Sequence, residues 1–245
     1  MQINRRGMIM AGLAGVMAAP GLVARAQSHA PALVAVATNF AKLAETLATD
    51  FEAQAGLRVT IASGSTGQLY AQVINGAPYD IFLAADQARP AKLESAGLSL
   101  ERIAYARGFI VLWHPMGAAS EAVLRGRGFN YLAIANPALA PYGRAAQEAL
   151  QALGLWDELR EKIVMGQNIG QAYALVASGN AELGFIDATR RQEPGGYWRV
   201  PAALYSPILQ DAVLLKDRPV ARAFMGYLAS EAARETITGA GYAVP

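Results

Sequence analysis

Short runs of apolar residues alternate along the chain with segments in which apolar residues recur every three or four positions. The run 33–37 is apolar throughout, and from Phe40 to Phe51 the apolar residues follow helical spacing. Such runs and spacings are typical of buried strands followed by amphipathic helices. Further strands are predicted at 59–62, 80–84, 108–114, 131–135, 162–165 and 183–186, and further helices up to 74 and at 145–153, 171–177 and 220–228. This alternation predicts an α/β fold built on parallel sheets with helices on both faces.

The predicted elements form two groups that are separated near residue 115. A loop containing Gly and Arg follows the strand 108–114, and the alternation of strand and helix then restarts at Tyr131. A second loop is predicted at 189–199, and strand-like residues follow within 204–215. The sequence therefore predicts two α/β lobes, and proteins of this kind bind ligands in a crevice at the carboxyl ends of the strands.

Four turns connect a predicted strand to a predicted helix at such ends. They lie at 38–39, 63–67, 141–143 and 168–170, and none of them contains Lys, Arg or His. A helix N-terminus has unpaired N–H groups and a partial positive charge, so it favours anions. Several such ends directed at one point would hold a small anion with neutral donors alone.

Each turn also has a purely structural interpretation. Thr38 and Asn39 are both favoured helix N-caps. The turn 63–67 is more informative, because it offers three hydroxyls and two glycines where a cap needs only one hydroxyl. Tyr142 and Ile169 are weak signals by themselves, since an Ile can contribute to an anion site only through its backbone N–H.

The first 26 residues are predicted to be a cleaved export signal. Arg5 and Arg6 precede an apolar stretch rich in Gly and Ala, and Ala24-Arg25-Ala26 fits a cleavage site of the small-x-small type. A membrane anchor is the alternative, but the stretch contains Pro20 and is shorter than the roughly 20 strongly apolar residues of a spanning helix. The arginine pair leaves the Sec and twin-arginine export routes both open.

Removing the leader changes the charge balance. The whole chain carries 21 basic and 19 acidic residues, and three of the basic ones lie in the leader, so the mature net charge becomes −1. A basic nucleic-acid-binding surface is therefore not supported. The chain contains no Cys, which excludes disulfides and thiolate metal sites, and it lacks the Gly-x-Ser-x-Gly and Walker motifs of common enzymes. No linker suggests an added domain for binding a protein partner.

Several motifs together resemble those of the periplasmic molybdate-binding proteins of ABC importers. They cover nearly all of the mature chain in the family's order. The stretch Gly76-Ala77-Pro78-Tyr79-Asp80-Ile81-Phe82-Leu83-Ala84-Ala85-Asp86 is the strongest of them. The others are Val36-Ala37-Thr38-Asn39-Phe40, Ile61 to Gly67, Ala135-Asn136-Pro137, Ala140-Pro141-Tyr142-Gly143, Asn168-Ile169-Gly170-Gln171, Leu183-Gly184-Phe185 and Ala240-Gly241-Tyr242.

The resemblance implies a bilobal periplasmic-binding-protein fold with a cleft and two crossover segments. Lobe 1 would comprise 30–112 and 204–245, and lobe 2 would comprise 113–203. The implied ligand residues are Thr38, Asn39, Thr66, Tyr142 and Ile169, with Ser65 as the near alternative to Thr66. The first three would offer side chains from lobe 1, whereas Tyr142 and Ile169 would donate backbone N–H groups from lobe 2.

The implied function is capture of molybdate or tungstate in the cleft and delivery to an ABC permease in the inner membrane. The protein is then expected to be a periplasmic monomer without catalysis, cofactor or nucleic-acid partner, with molybdenum present only in the bound oxyanion. Another tetrahedral oxyanion such as sulfate is the alternative ligand. One position departs from the family: Asp187 stands where many members have a Tyr hydroxyl, and a carboxylate facing a dianion would repel it unless protonated or turned away.

Overall fold

The computed structural model describes residues 30–191 and 193–245, so the predicted leader lies outside the described residues. The strands are β1 (Ala32–Ala37), β2 (Val59–Gly64), β3 (Ile81–Leu83), β4 (Glu101–Gly108), β5 (Ile110–His114), β6 (Leu132–Ala135), β7 (Ile163–Gly166), β8 (Leu183–Asp187), β9 (Gly196–Arg199) and β10 (Ile208–Leu214). The α-helices are α1 (Ala41–Ala55), α2 (Thr66–Ile74), α3 (Ala88–Ser95), α4 (Glu121–Gly126), α5 (Pro141–Ala152), α6 (Trp156–Leu159), α7 (Ile169–Ala177), α8 (Pro219–Leu228) and α9 (Glu231–Gly239).

The strands form two five-stranded sheets, one in each lobe. The first sheet has the order β2-β1-β3-β10-β4 and the second has the order β7-β6-β8-β5-β9. In the first sheet β1 runs parallel to β2 and β3, and in the second β6 runs parallel to β7 and β8. The bilobal α/β fold predicted from the sequence is confirmed.

Each sheet also contains antiparallel strands, which the alternation of strand and helix did not predict. β10 is antiparallel to β3 and β4, and β5 is antiparallel to β8 and β9. These strands belong to the segments where the chain passes between the lobes, so they enter each sheet from the opposite direction. The prediction of parallel sheets was therefore wrong for two of the four strand pairings in each sheet.

The first passage between the lobes divides the strand predicted at 108–114. β4 ends at Gly108 in the first sheet and β5 begins at Ile110 in the second, which leaves Phe109 as the connection. The expected boundary between residues 112 and 113 thus falls inside β5. The chain returns between β9 and β10, and β9 itself lies in the segment expected to be a loop.

Helices cover both faces of the first sheet. On one face α1 and α8 pack through Phe51 and Phe224, whose ring centroids are 5.2 Å apart. On the other face Leu69 of α2 and Leu93 of α3 are buried against the sheet. Burial of one such side chain stabilises the fold by about 1.5–3 kcal/mol, so each lobe has a core that holds its strand ends in place. Within the described ranges, no helix is both long and apolar enough to cross a membrane.

Candidate functional site

One small cavity lies between the lobes where the N-termini of α1, α2, α5 and α7 meet. Its volume is about 10 Å³, which is at the lower limit of the space that one water molecule needs. The structure brings all six predicted site residues to this cavity, and no charged residue lines it. The lining residues are Ala37, Thr38, Asn39, Gly64, Ser65, Thr66, Ala85, Ala140, Pro141, Tyr142, Asn168 and Ile169.

Of the six predicted site residues, four have a backbone N–H group with no hydrogen-bond partner within the described part of the chain. These N–H groups belong to Asn39, Thr66, Tyr142 and Ile169, so each lobe contributes two. Each lies at or just before the first turn of a helix, where N–H groups have no intrahelical acceptor and the helix dipole favours negative charge. The arrangement can therefore donate hydrogen bonds to an anion from both sides.

The helix starts explain why these donors remain free. Ser65 and Asn168 cap α2 and α7 by accepting hydrogen bonds from the N–H groups of Gln68 and Gln171, which are further along each helix. The helices α1 and α5 have no side-chain cap. The capping side chains thus pair with the N–H groups of Gln68 and Gln171, which do not line the cavity, and leave the N–H groups of Thr66 and Ile169 unpaired.

The two neighbouring hydroxyls of Ser65 and Thr66 are used differently. Ser65 Oγ accepts from Gln68 N at 3.3 Å, and Gln68 Oε1 accepts from Ser65 N at 3.4 Å, which together form a capping box. Ser65 Oγ also donates its proton to Gln68 Oε1 at 2.9 Å. Thr66 Oγ1 accepts from Ala85 N at 3.2 Å, and its own proton is not assigned to any acceptor among the described residues. Thr66 can therefore donate to a ligand, whereas the proton of Ser65 is already committed.

The side chains of Thr38 and Asn39 also have hydrogen-bond partners, most of them in the first lobe. Thr38 Oγ1 donates to Gly64 O at 2.9 Å. Asn39 Nδ2 donates to Gln210 Oε1 at 2.9 Å and to the hydroxyl of Tyr242 at 3.1 Å. The amide nitrogen of Asn39 is thus occupied away from the cavity, and its free backbone N–H is the donor that this residue offers there.

Asn39 belongs to a buried polar cluster that sequence reasoning missed, formed by Asn39, Tyr105, Tyr142, Gln210 and Tyr242. The single proton of the Tyr105 hydroxyl has two acceptors within reach, Ala84 O at 3.2 Å and Gln210 Oε1 at 3.1 Å. Burial raises the pKa of the Tyr105, Tyr142 and Tyr242 hydroxyls above their ordinary value, so all three are neutral donors and acceptors. The sequence feature that could have indicated this cluster is Gln210, an amide side chain in the otherwise mostly apolar strand β10.

Asp187 ends β8 and is buried, but it does not line the cavity. Its carboxylate accepts hydrogen bonds from the hydroxyl of Thr189 and from Arg190 Nε, the latter at 3.2 Å. Burial raises the pKa of this carboxyl, while Thr189 and Arg190 act in the opposite direction. The sequence left open whether this carboxylate is protonated or turned away from the ligand. In the structure it is turned toward Thr189 and Arg190 of the loop that follows β8.

Two further hydrogen bonds join the lobes, close in sequence to the lining residues Thr66 and Ala140. Gly67 N donates to Leu139 O at 2.9 Å, and Arg89 Nη2 donates to Ala138 O at 3.0 Å. Arg89 is itself held by an ion pair with Asp86. The lobes are therefore in contact around the cavity. Across residues 30–191 and 193–245, His, Asp and Glu form no cluster of three that could hold a metal ion.

Comparison with known proteins finds similar sequences over most of the chain. The family model described as bacterial extracellular solute-binding protein matches residues 32–243. A relative named Molybdate-binding protein ModA from Azotobacter vinelandii is 43% identical over 205 residues, covering 78% of this chain and 81% of the relative. One of the same name from Rhodobacter capsulatus is 40% identical over 201 residues, covering 78% and 80%.

A solved structure shows that the similarity extends to the fold. The Azotobacter vinelandii periplasmic molybdate-binding protein superimposes with a TM-score of 0.83 at 41% identity, covering 87% of this chain and 99% of that one. The family model and these relatives span most of the chain and both of its lobes. The chain therefore belongs to the bacterial extracellular solute-binding proteins, in the family of the molybdate-binding proteins.

Proposed function

We propose that this protein captures molybdate or tungstate in the interlobe cavity and delivers it to an ABC permease in the inner membrane. It acts in the periplasm as a monomer, after export directed by the predicted leader, and it binds its ligand without transforming it. The names of its relatives support molybdate as the ligand, and the family description supports a solute-binding role outside the cytoplasm.

The observation that carries the proposal is the set of four unpaired N–H groups around a cavity without a charged lining residue. Hydrogen bonds to a charged group contribute about 1.5–3 kcal/mol each. Four such bonds, with the hydroxyl of Thr66 as a fifth, can offset much of the hydration that an oxyanion loses on entering the site.

The same donors favour a fully deprotonated anion. A backbone N–H can only donate, so a protonated anion such as hydrogen phosphate would present its O–H to groups unable to accept it. The cavity is also lined by no His, Lys, Asp or Glu. Of the residue types that commonly act as general acids or bases, its lining contains Tyr142, whose hydroxyl lies in the buried polar cluster. The chemistry of the lining thus supports binding of a dianion without catalysis or a cofactor.

The proposed ligand contacts are the N–H groups of Asn39, Thr66, Tyr142 and Ile169 together with the hydroxyl of Thr66. We prefer Thr66 to Ser65 because Ser65 Oγ already donates its proton to Gln68 Oε1. A tetrahedral ion is larger than a water molecule, so the lobes must separate to admit it and then close around it. Closure would present both lobes in a defined arrangement to the permease.

Calorimetric titration of the mature protein tests the proposal directly. Molybdate and tungstate should bind with submicromolar Kd, whereas sulfate and phosphate should bind at least a hundredfold more weakly. Submicromolar binding of sulfate with weak binding of molybdate would instead assign the site to the smaller anion. Absence of submicromolar binding for all four ions would refute the proposed function.

A further inference from the structure

Tyr142 connects the cavity to the opposite lobe. Its N–H faces the cavity from the start of α5, in the second lobe. Its hydroxyl accepts hydrogen bonds from Gln210 Nε2 at 3.2 Å and from Asn39 Nδ2 at 3.4 Å, and both of these groups belong to the first lobe. One residue therefore carries a proposed ligand contact at its backbone and an interlobe contact at its side chain.

Gln210 is held firmly in the position from which it reaches Tyr142. It is fully buried, and its Oε1 accepts from Asn39 Nδ2 at 2.9 Å and from the Tyr105 hydroxyl at 3.1 Å. It also lies at a register shift between β10 and β4, next to Asp211, and such bulges redirect side chains. The amide group of Gln210 thus has a fixed location relative to the first sheet.

Close contacts set a limit to the approach of the lobes in the same region. A Cβ atom placed on Gly108 would overlap the Tyr142 hydroxyl and lie 2.8 Å from Gln210 Nε2. On the other side of the cavity, a Cβ on Gly170 would lie 2.5 Å from the methyl group of Thr38. The lobes therefore meet at two glycines, and the hydroxyl of Tyr142 lies at one of these contacts.

We propose that Gln210 is a positioning residue that determines ligand size selectivity: through the hydroxyl of Tyr142 it fixes how far the lobes close. This inference rests on the proposed function. Sulfate and molybdate are both tetrahedral dianions and would meet the same N–H donors, but molybdate is the larger ion. Because hydrogen bonds weaken beyond about 3.2 Å, the spacing between the lobes decides which ion can contact the donors of both.

The variant Tyr142→Phe tests this role, because it retains the ring and the backbone N–H and removes only the hydroxyl. We expect the affinity for molybdate to fall about tenfold, which corresponds to the loss of one or two hydrogen bonds. The affinity for sulfate should change less than threefold. The preference for molybdate, expressed as the Kd for sulfate divided by the Kd for molybdate, should therefore fall. Small-angle scattering with saturating molybdate should show a less closed average shape than for the wild type.

Tyr105→Phe is the matched control. It also removes a buried tyrosine hydroxyl that bonds to Gln210, but both acceptors of this hydroxyl lie within the first lobe. Gln210 Oε1 keeps its shorter hydrogen bond from Asn39 Nδ2 at 2.9 Å in this variant. We therefore expect it to lower Tm while the preference for molybdate over sulfate and the closed shape remain those of the wild type. An equal loss of selectivity in Tyr105→Phe would show that general loosening of the core, and not the interlobe contact, sets selectivity.

A double-variant comparison tests whether Gln210 acts through Tyr142. Gln210→Met should reduce the molybdate-to-sulfate ratio about as much as Tyr142→Phe does, and combining the two should reduce it no further. Additive losses would overturn the proposed route, as would an unchanged ratio in Tyr142→Phe. If Gln210→Met does not fold, the ratio in Tyr142→Phe alone decides. A wild-type protein that binds neither ion would refute the proposed function instead, so the two failures are distinguishable.

Discussion

The two lobes contribute to the cavity in different ways. The first lobe offers the N–H groups of Asn39 and Thr66 together with the hydroxyl of Thr66, whereas the second offers the N–H groups of Tyr142 and Ile169. The donors proposed for the second lobe thus belong to the main chain. Polar residue types in the sequence can therefore reveal the side-chain donor of the first lobe but not the backbone donors of the second.

The difference follows from how the helices begin. In the first lobe α2 begins with two consecutive hydroxyl residues, one of which serves the cap and the other of which remains available. In the second lobe α5 begins with Pro141 and α7 begins with the apolar Ile169. We therefore expect binding to depend on a side chain in the first lobe and on backbone N–H groups in the second.

The largest effect is expected from removing a backbone donor of the second lobe with Ile169→Pro. Proline lacks an N–H but is well tolerated at the first position of a helix, and the extended backbone of Asn168, with ψ of 173°, suits a residue before proline. The ring would also occupy the space in front of the lost donor. We expect molybdate affinity to fall at least a hundredfold, measured by calorimetry.

Ile169→Val provides the control for this substitution, because it keeps the N–H and changes the buried side chain by one methylene. Its expected cost is about 0.5–1.5 kcal/mol of unfolding free energy, with Kd within threefold of the wild type. If the proline variant folds and binds as well as the valine variant does, the N–H of Ile169 is not a ligand contact.

A smaller effect is expected from the hydroxyl of the first lobe. Thr66→Ala should weaken molybdate binding by about 1.5–3 kcal/mol, roughly 10- to 100-fold, because it removes one charge-assisted hydrogen bond. Ser65→Ala should instead lower the free energy of unfolding by about 0.5–2 kcal/mol through loss of the N-cap, with little change in Kd. Titration and urea unfolding of both variants separate the two roles, and the opposite pattern would transfer the contact to Ser65.

The smallest effect on binding is expected from Asp187→Asn. Asp187 lies in the second lobe, where a side-chain donor to the ligand would make this lobe similar to the first. The carboxylate is turned toward Thr189 and Arg190, so Kd should change less than threefold. A larger change would indicate that Asp187 reaches the ligand and that the second lobe also uses a side chain.

The same variant should change how stability depends on pH. Burial raises the pKa of Asp187 in the folded protein above its unfolded value near 3.9. The folded state therefore binds the proton more tightly, and the wild type should gain stability relative to Asp187→Asn as the pH falls from 7 through the raised pKa. Urea unfolding at pH 7 and pH 5 measures this difference, and parallel changes in the two proteins would contradict the assignment.

Local sequence signals were sufficient for the strand-to-helix turns. The apolar run that becomes β1 ends where Thr38 begins a turn, and the pair Ser65-Thr66 stands where α2 starts. These features depend on residues within a few positions of one another, so capping and turn preferences reveal them. Motifs resembling those of the molybdate-binding family then indicated that the separate turns share one site. Residues from all four turns line the same cavity.

Features that depend on distant parts of the chain were not predictable in this way. The apolar run 108–114 gives no sign that its first residue pairs with β10 and the rest with β8 and β9. Likewise, Gln210 is a polar residue in an apolar strand, and nothing near it in the sequence identifies Asn39 or Tyr142 as its partners. Strand pairing and buried polar contacts are long-range choices, which residue preferences leave open.

The sequence by itself determined that neutral turns open helices at strand ends and that no cationic side chain is available in those turns to bind an anion. Only the tertiary structure decided which atoms face the cavity, because this depends on the cap that each side chain makes and on the orientation of each helix. It assigned the proton of Ser65 to Gln68 Oε1, placed the amide nitrogen of Asn39 in the buried polar cluster and turned Asp187 toward Arg190. The physical reason is that a donor acts on a ligand only when no nearer acceptor satisfies it, and the nearer acceptors come from the whole fold.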